Sequence, residues 1–125
     1  KYICLFNAAQ LNLDMASGNR ESLQMAQRLA QLGIGTEPQR AECWVILGQC
    51  WEAYGLPHKA IEAYETALMQ ELPLDDIGLV FQGYYREIPQ MLLVALKVRI
   101  AREVKHESDI VVAKRKELII PKFEA

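Results

Sequence analysis

Residues 41–68 read AECWVILGQCWEAYGLPHKAIEAYETAL, and this stretch decides the fold. Its two tryptophans, Trp44 and Trp51, stand seven residues apart, so they share one face of a helix. Gly55 suits the end of that helix, and Pro57 suits the first turn of the next one. Alanines and a tyrosine follow at helical spacing. The stretch therefore predicts a pair of helices, and it leaves open whether the tryptophans form core or the floor of a binding pocket.

Helical periodicity continues through most of the chain, whereas strand signals are weak and confined to its end. The predicted helices cover residues 2–16, 19–32, 36–54, 57–70, 75–88 and 89–105. For residues 109–118 a short capping helix is the first interpretation, and an extended tail is the second. The chain is thus predicted to be all-α.

Three short segments mark predicted helix ends. Asn19 has a side chain that can cap the second helix. Gly33-Ile34-Gly35 is predicted to end that helix, because glycine is favoured just past a helix terminus. Thr36-Glu37-Pro38-Gln39 predicts a capping box at the start of the third helix.

The stretch 41–73 resembles a tetratricopeptide repeat (TPR), a unit of about 34 residues with the pattern W-x2-L-G-x2-Y, then A-x3-F, then P. The matching positions are Trp44, Leu47, Gly48, Trp51, Ala60, Tyr64, Ala67 and Pro73, with Trp51 in place of the tyrosine. A forward shift by one repeat keeps apolar residues at Phe81, Tyr85, Val94, Val98 and Ala101. A looser backward shift uses Phe6, Ala9, Leu13 and Ala26. One strong repeat is therefore flanked by two degenerate ones.

The resemblance implies antiparallel helix pairs stacked as a TPR-like right-handed superhelix, an α-solenoid. The repeat domain would cover residues 1–106, with units at 2–35, 36–73 and 74–106. Residues 107–125 would form a C-terminal capping helix or tail. Gly48 and Ala60 would be small because two helices cross closely there. Trp44, Trp51 and Tyr64 would fill the gaps between helices.

In TPR proteins the first helix of each unit lines a concave groove that holds a peptide or a helix. The resemblance implies that this groove is lined here by Asn7, Asp14, Glu42, Val45, Gln49, Glu52, Asp76, Leu79 and Arg86. Acidic residues outnumber the single arginine in this set. We therefore hypothesise a mildly acidic groove that prefers a basic or amphipathic partner. The alternative is that these acids are ordinary solvated helix surface.

The sequence carries no recognisable catalytic constellation, so we predict a protein that is not an enzyme and uses no cofactor or metal. Its two histidines, His58 and His106, have no second histidine or cysteine at helical spacing, as a metal site would need. A net charge of −2 does not favour nucleic acid. The longest apolar runs, such as Met91–Leu96, are far shorter than the ~20 residues of a membrane span.

The three cysteines predict no disulfide framework. Cys43 and Cys50 lie on one predicted helix, which separates their Cα atoms by about 10.5 Å, too far for a disulfide. Free thiols favour a reducing compartment such as the cytoplasm. The chain begins without a methionine or a signal-peptide layout, so we expect a fragment of a longer protein or a mature product.

The leading functional hypothesis is a non-catalytic protein–protein interaction module, a scaffold or adaptor that binds a peptide or helix in the concave groove. A second hypothesis is a regulatory or sensor TPR domain of a multidomain regulator. A third is a self-association module that forms a homo-oligomer, because repeat ends without a polar cap leave an apolar face exposed.

Overall fold

The computed structural model describes residues 2–71 and 82–124, with Gln82 and residues 115–124 as backbone only. All regular structure in this part of the chain is helical, which confirms the all-α prediction. The elements are α1 (Tyr2–Asp14), α2 (Arg20–Thr36), α3 (Glu42–Ala53), α4 (Pro57–Leu68), a 3₁₀ segment (Gln82–Tyr85) and α5 (Glu87–Glu124).

The chain divides into two compact units, Lys1–Leu93 and Val94–Ala125. In the first unit α1 packs against α2, and α3 packs against α4. Both α1 and α2 also contact α3, and the 3₁₀ segment contacts α3 and α4. The helix α3 is therefore the central element of this unit. The described side chains of the second unit belong to α5 and are mostly exposed.

The start of α2 is as predicted, but its end is not. The Asn19 side-chain oxygen accepts hydrogen bonds from the backbone N–H groups of Glu21 and Ser22, at 3.1 and 3.3 Å. The helix then continues through Gly33 to Thr36 instead of ending at the glycines. A Cβ at Gly33 would collide with the side chain of Cys43, so this glycine allows α2 and α3 to approach closely.

The predicted capping box is wrong. The Thr36 hydroxyl donates to the carbonyl of Leu32 at 3.0 Å, because Thr36 is still part of α2. The third helix begins later, at Glu42, and its first turn has no side-chain cap. Residues 37–41 form the connection between α2 and α3.

The end of α3 and the start of α4 agree with the prediction. Gly55 has φ of +77°, a backbone conformation that favours glycine. The N–H of Leu56 donates to the carbonyl of Trp51 at 2.9 Å, and the N–H of Gly55 donates to that of Glu52 at 3.0 Å. This pair of bonds is a Schellman motif. Pro57 follows as the first residue of α4.

The last part of the chain differs most from its prediction. The predicted helix over 75–88 lies partly outside the described residues, and its described end is the 3₁₀ segment. The helix α5 then runs unbroken to Glu124, so neither the predicted end near Lys105 nor a separate helix or tail over 109–118 is observed. The physical reason is that residues 90–120 contain no glycine or proline that would interrupt a helix.

The core of the first unit confirms the close helix crossing predicted within the central repeat. Ala60 and Tyr64 are fully buried, and Gly48 lies directly against the Tyr64 ring, where any Cβ would collide with it. Trp44 and Trp51, by contrast, are only half-buried and pack against the edge of the core. Their predicted place in the core is therefore confirmed in part, since both pack against it and part of each side chain stays exposed.

Candidate functional site

The structure separates the residues predicted to line a groove. Asn7, Asp14 and Arg86 are exposed, whereas Gln49 and Glu52 are half-buried. Asp76 and Leu79 lie outside the described residues. Glu42 and Val45 have no exposed surface at all, so they cannot contact a partner in this conformation. Their placement on an accessible groove is corrected, and a role for the other positions remains a prediction.

Glu42 is buried because its carboxylate has enough hydrogen-bond donors around it. The hydroxyl of Tyr85 donates to both carboxylate oxygens, at 2.9 and 3.1 Å. The hydroxyl of Tyr2 donates to Oε2 at 3.2 Å, and the guanidinium of Arg40 donates to Oε1 at 3.3 Å. A buried charge is tolerated only when it is paired and hydrogen-bonded in this way. We call these four residues the Glu42 cluster.

The Glu42 cluster connects parts of the chain that are far apart in sequence. Tyr2 belongs to α1, Tyr85 belongs to the 3₁₀ segment, and Arg40 precedes α3. The Arg40 guanidinium also lies 4.7 Å from the centre of the Tyr2 ring. The Tyr2 hydroxyl in turn accepts a hydrogen bond from the backbone N–H of Cys43 at 3.0 Å. The cluster therefore holds three segments together at the start of α3.

The environment of this cluster keeps its phenols protonated. Burial, followed by the nearby charge of Glu42, raises the pKa of Tyr85 to about 12. Burial and the hydrogen bond with Cys43 raise the pKa of Tyr2 well above its usual range. Both hydroxyls are therefore donors at neutral pH, as the carboxylate requires. This arrangement is suited to holding the 3₁₀ segment in place.

A second tyrosine of the 3₁₀ segment contacts α1. The Tyr84 ring meets the Phe6 ring edge-on, with the ring centres 5.2 Å apart. Its hydroxyl donates to the side-chain oxygen of Gln10 at 3.1 Å. The 3₁₀ segment therefore covers part of the surface that α1 and α3 share. The packing of the 3₁₀ segment against α1 and α3 explains why Glu42 is buried.

Glu52 also has a partner inside the fold. It accepts a hydrogen bond from the hydroxyl of Tyr64, the side chain that packs against Gly48. This bond joins α3 to α4 and places the polar end of Tyr64 at the edge of the core. Glu52 is therefore less available to a partner than the sequence suggests.

A surface hollow lies on the opposite side of α3, and the predicted groove does not include it. It measures about 540 Å³ and is lined by Gln24, Gln27, Arg28, Gln31, Trp51, Tyr54 and Leu56. Trp51 also borders a smaller hollow on the α4 side, of about 270 Å³, together with Trp44 and Lys59. The sequence indicated such a hollow, because the floor of a binding pocket was one of the two interpretations of the tryptophans. In the structure they pack on the core and also line the surface.

Among the described residues, no three His, Cys, Asp or Glu side chains are grouped so that they could hold a metal ion. None of the described helices combines the length and the apolar composition that crossing a membrane requires. All three cysteines are free, with Cys43 and Cys50 buried and Cys4 exposed. No family model, curated protein or solved structure matches the chain.

Proposed function

We propose that this chain is a non-catalytic protein-interaction module built from TPR-like helical hairpins. The proposal is supported by the order of packing, in which α1 and α3, the first helices of the two hairpins, contact each other. It is also supported by the glycine of the motif, Gly48, which lies against the motif's aromatic residue, Tyr64. A repeat of this kind presents its first helices to a partner.

The observation that carries the proposal is an exposed row on α1. Asn7, Leu11 and Asp14 recur at the spacing that places them on one face of a helix, and all three are exposed. Leu11 is 59% exposed and its neighbour Met15 is 56% exposed, so this row offers apolar surface next to Asp14. We call Asn7, Leu11, Asp14 and Met15 the α1 surface. It fits an amphipathic helix whose apolar residues cover Leu11 and Met15.

The charge of this surface is more modest than the sequence suggests. Glu42 is buried and paired with Arg40, and Glu52 accepts a hydrogen bond from the hydroxyl of Tyr64. Asp14 is thus the main exposed acid of α1, where it accepts a hydrogen bond from Gln10 at 2.9 Å. A basic residue next to the apolar face of the partner helix would pair with it. The regulatory and self-association hypotheses rest on the sequence alone and remain predictions.

A labelled amphipathic peptide with leucines along one face and arginines beside them tests this proposal by fluorescence polarisation. Leu11→Asp should weaken binding by about tenfold or more, because it places a charge where an apolar side chain would be buried. Asp14→Arg should weaken it by a few-fold and should remove most of its salt dependence. The matched control is Asp109→Arg, which reverses an exposed acid of the second unit. Equal effects of the two charge reversals would contradict the proposal.

A further inference from the structure

The hollow between α2 and the end of α3, here called the α2–α3 hollow, forms a second surface with a different chemistry. We propose that it binds an extended acidic peptide segment of a partner protein, one that carries a glutamate or aspartate close to a leucine or an aromatic residue. This site is distinct from the α1 surface, and it would provide the chain with two binding faces.

The apolar floor of the hollow is fixed by backbone geometry. The Trp51 and Tyr54 rings lie 6.0 Å apart at 45°, which leaves a partly open aromatic surface. The Schellman motif bonds the N–H of Leu56 to the carbonyl of Trp51, so the chain folds back and Leu56 becomes part of the lining. The backbone that carries the floor residues is therefore ordered before a ligand binds, which favours affinity. An apolar or aromatic side chain of the peptide would rest here.

The wall of the hollow offers hydrogen bonds along a line. Gln24, Arg28 and Gln31 recur at helical spacing on α2, and all three are exposed. Gln24 and Gln31 lie about 10.5 Å apart along the helix axis, which corresponds to about three residues of an extended peptide. Each glutamine amide has both donors and an acceptor, so it can pair with the N–H and C=O groups of a peptide backbone. The row thus matches an extended segment.

The charge of the hollow selects an acidic segment. Among the described residues that line it, Arg28 is the one charged side chain, and no carboxylate opposes it. On the far side of the floor, the Lys59 ammonium lies 4.7 Å from the centre of the Trp51 ring, but Glu62 lines the same hollow, so that side adds little net charge. A planar guanidinium binds a carboxylate through two parallel hydrogen bonds. The α1 surface carries the opposite charge, so the two faces would accept different partners.

The test uses the full chain and an array of ten-residue peptides in a glycine–serine background. Each peptide carries one leucine or phenylalanine, with a glutamate placed one to four positions away, and the strongest binder is then measured by fluorescence polarisation. Arg28→Gln should weaken binding by about fivefold, the range of an exposed charge pair. Replacing the peptide glutamate by glutamine should lose the same factor. The two changes together should weaken binding little more than either change alone, because both remove the same interaction between Arg28 and the peptide glutamate.

The control variants separate this site from others. Arg102→Gln removes the same charge from an exposed position of the second unit, outside every surface assigned to a partner, and should leave binding unchanged. Asp14→Arg, which tests the α1 surface, should not weaken it either. The proposal is overturned if no peptide of the array binds, or if Arg28→Gln and Arg102→Gln weaken binding equally. It is also overturned if the losses of binding free energy from Arg28→Gln and from the peptide glutamine are additive. If Leu11→Asp weakens peptide binding but Arg28→Gln does not, the peptide binds at the α1 surface. This result would support the proposed function and contradict the α2–α3 hollow as the site.

Discussion

Two residues on opposite sides of α3 reverse the usual assignment of polar and apolar side chains. Glu42 and Trp51 stand nine residues apart, so they lie on opposite sides of the helix. The glutamate has no exposed surface, whereas the tryptophan is partly exposed. At one of these positions a charged side chain is therefore interior, and at the other a large aromatic side chain reaches the surface.

The difference shows that burial depends on the partners a side chain finds more than on its own polarity. Glu42 is tolerated inside because donors from Tyr2, Arg40 and Tyr85 surround its carboxylate. Trp51 is a large residue, and tryptophans are rarely buried completely even when they pack on a core. One of its sides contacts the core, and the other is left for a ligand or solvent. The predictions below test each side of α3.

The largest effect is expected on the Glu42 side. Glu42→Ala should lower the free energy of unfolding by about 3–5 kcal/mol, because it leaves the guanidinium of Arg40 buried without this carboxylate. Chemical denaturation followed by circular dichroism measures the change. The matched control is Glu62→Ala on α4, an exposed glutamate that should change stability by less than about 0.5 kcal/mol. Similar effects of the two variants would mean that the Glu42 cluster does not form.

A smaller effect is expected on the tryptophan side. Trp51→Ala should cost about 2 kcal/mol, which is below the ~3–5 kcal/mol typical of a fully buried tryptophan, because part of the ring is already exposed. The same denaturation measurement applies. A loss of 4 kcal/mol or more would place Trp51 in the interior instead.

The fold of the central hairpin could be predicted because its signals are local. The positive φ of Gly55, the start of α4 at Pro57 and the close pair of Gly48 and Tyr64 depend on neighbours within one pair of helices. The end of α2 could not be predicted from Gly33, because this glycine serves contact with Cys43 on another helix. A glycine required for close packing and one required for a turn look the same in a sequence.

The candidate site was harder to predict for a related reason. Repeat position alone placed Glu42 on a groove surface, but its burial depends on Tyr2 and Tyr85, which are about forty residues away in each direction. No spacing rule connects these three positions. The α2–α3 hollow was indicated only by the aromatic-floor interpretation of Trp51. Its polar wall, with Arg28, comes from a neighbouring hairpin and has no signal in the stretch that carries the tryptophans.

The contact between α3 and α4 provides the next prediction. Gly48→Ala should destabilise the protein by about 1–2 kcal/mol, because the new methyl group collides with the ring of Tyr64 and forces it to move. Gly35→Ala is the matched control, since it is also a helical glycine but has no atom within 4 Å of the added Cβ. That variant should be neutral or stabilising by up to about 1 kcal/mol, as helix propensity predicts. Stabilisation by both substitutions would contradict the close approach of the two helices.

The smallest effect concerns Cys43 and Cys50, the two thiols that α3 buries. Burial raises the pKa of Cys43 to about 11 and that of Cys50 to about 12, from an ordinary value of 9.0. Because the folded-state pKa lies above the unfolded one, the protonated thiols stabilise the fold fully below pH 9, and this contribution is lost as the pH rises toward 12. At pH 9 the loss should be about 0.4 kcal/mol per thiol, and it should grow at higher pH.

Denaturation curves between pH 7.5 and pH 10, compared with those of Cys50→Ala, measure this loss. The variant should show a shallower decline, because it lacks one of the two titrating groups. A thiol reagent at pH 8 provides an independent reading: Cys4 is exposed and should react at once, whereas Cys43 and Cys50 should react only as fast as the fold opens. Three thiols that react at one rate would mean that this side of α3 is open to solvent. The contrast between its two sides would then be lost, since Glu42 and the tryptophans would share one exposed environment.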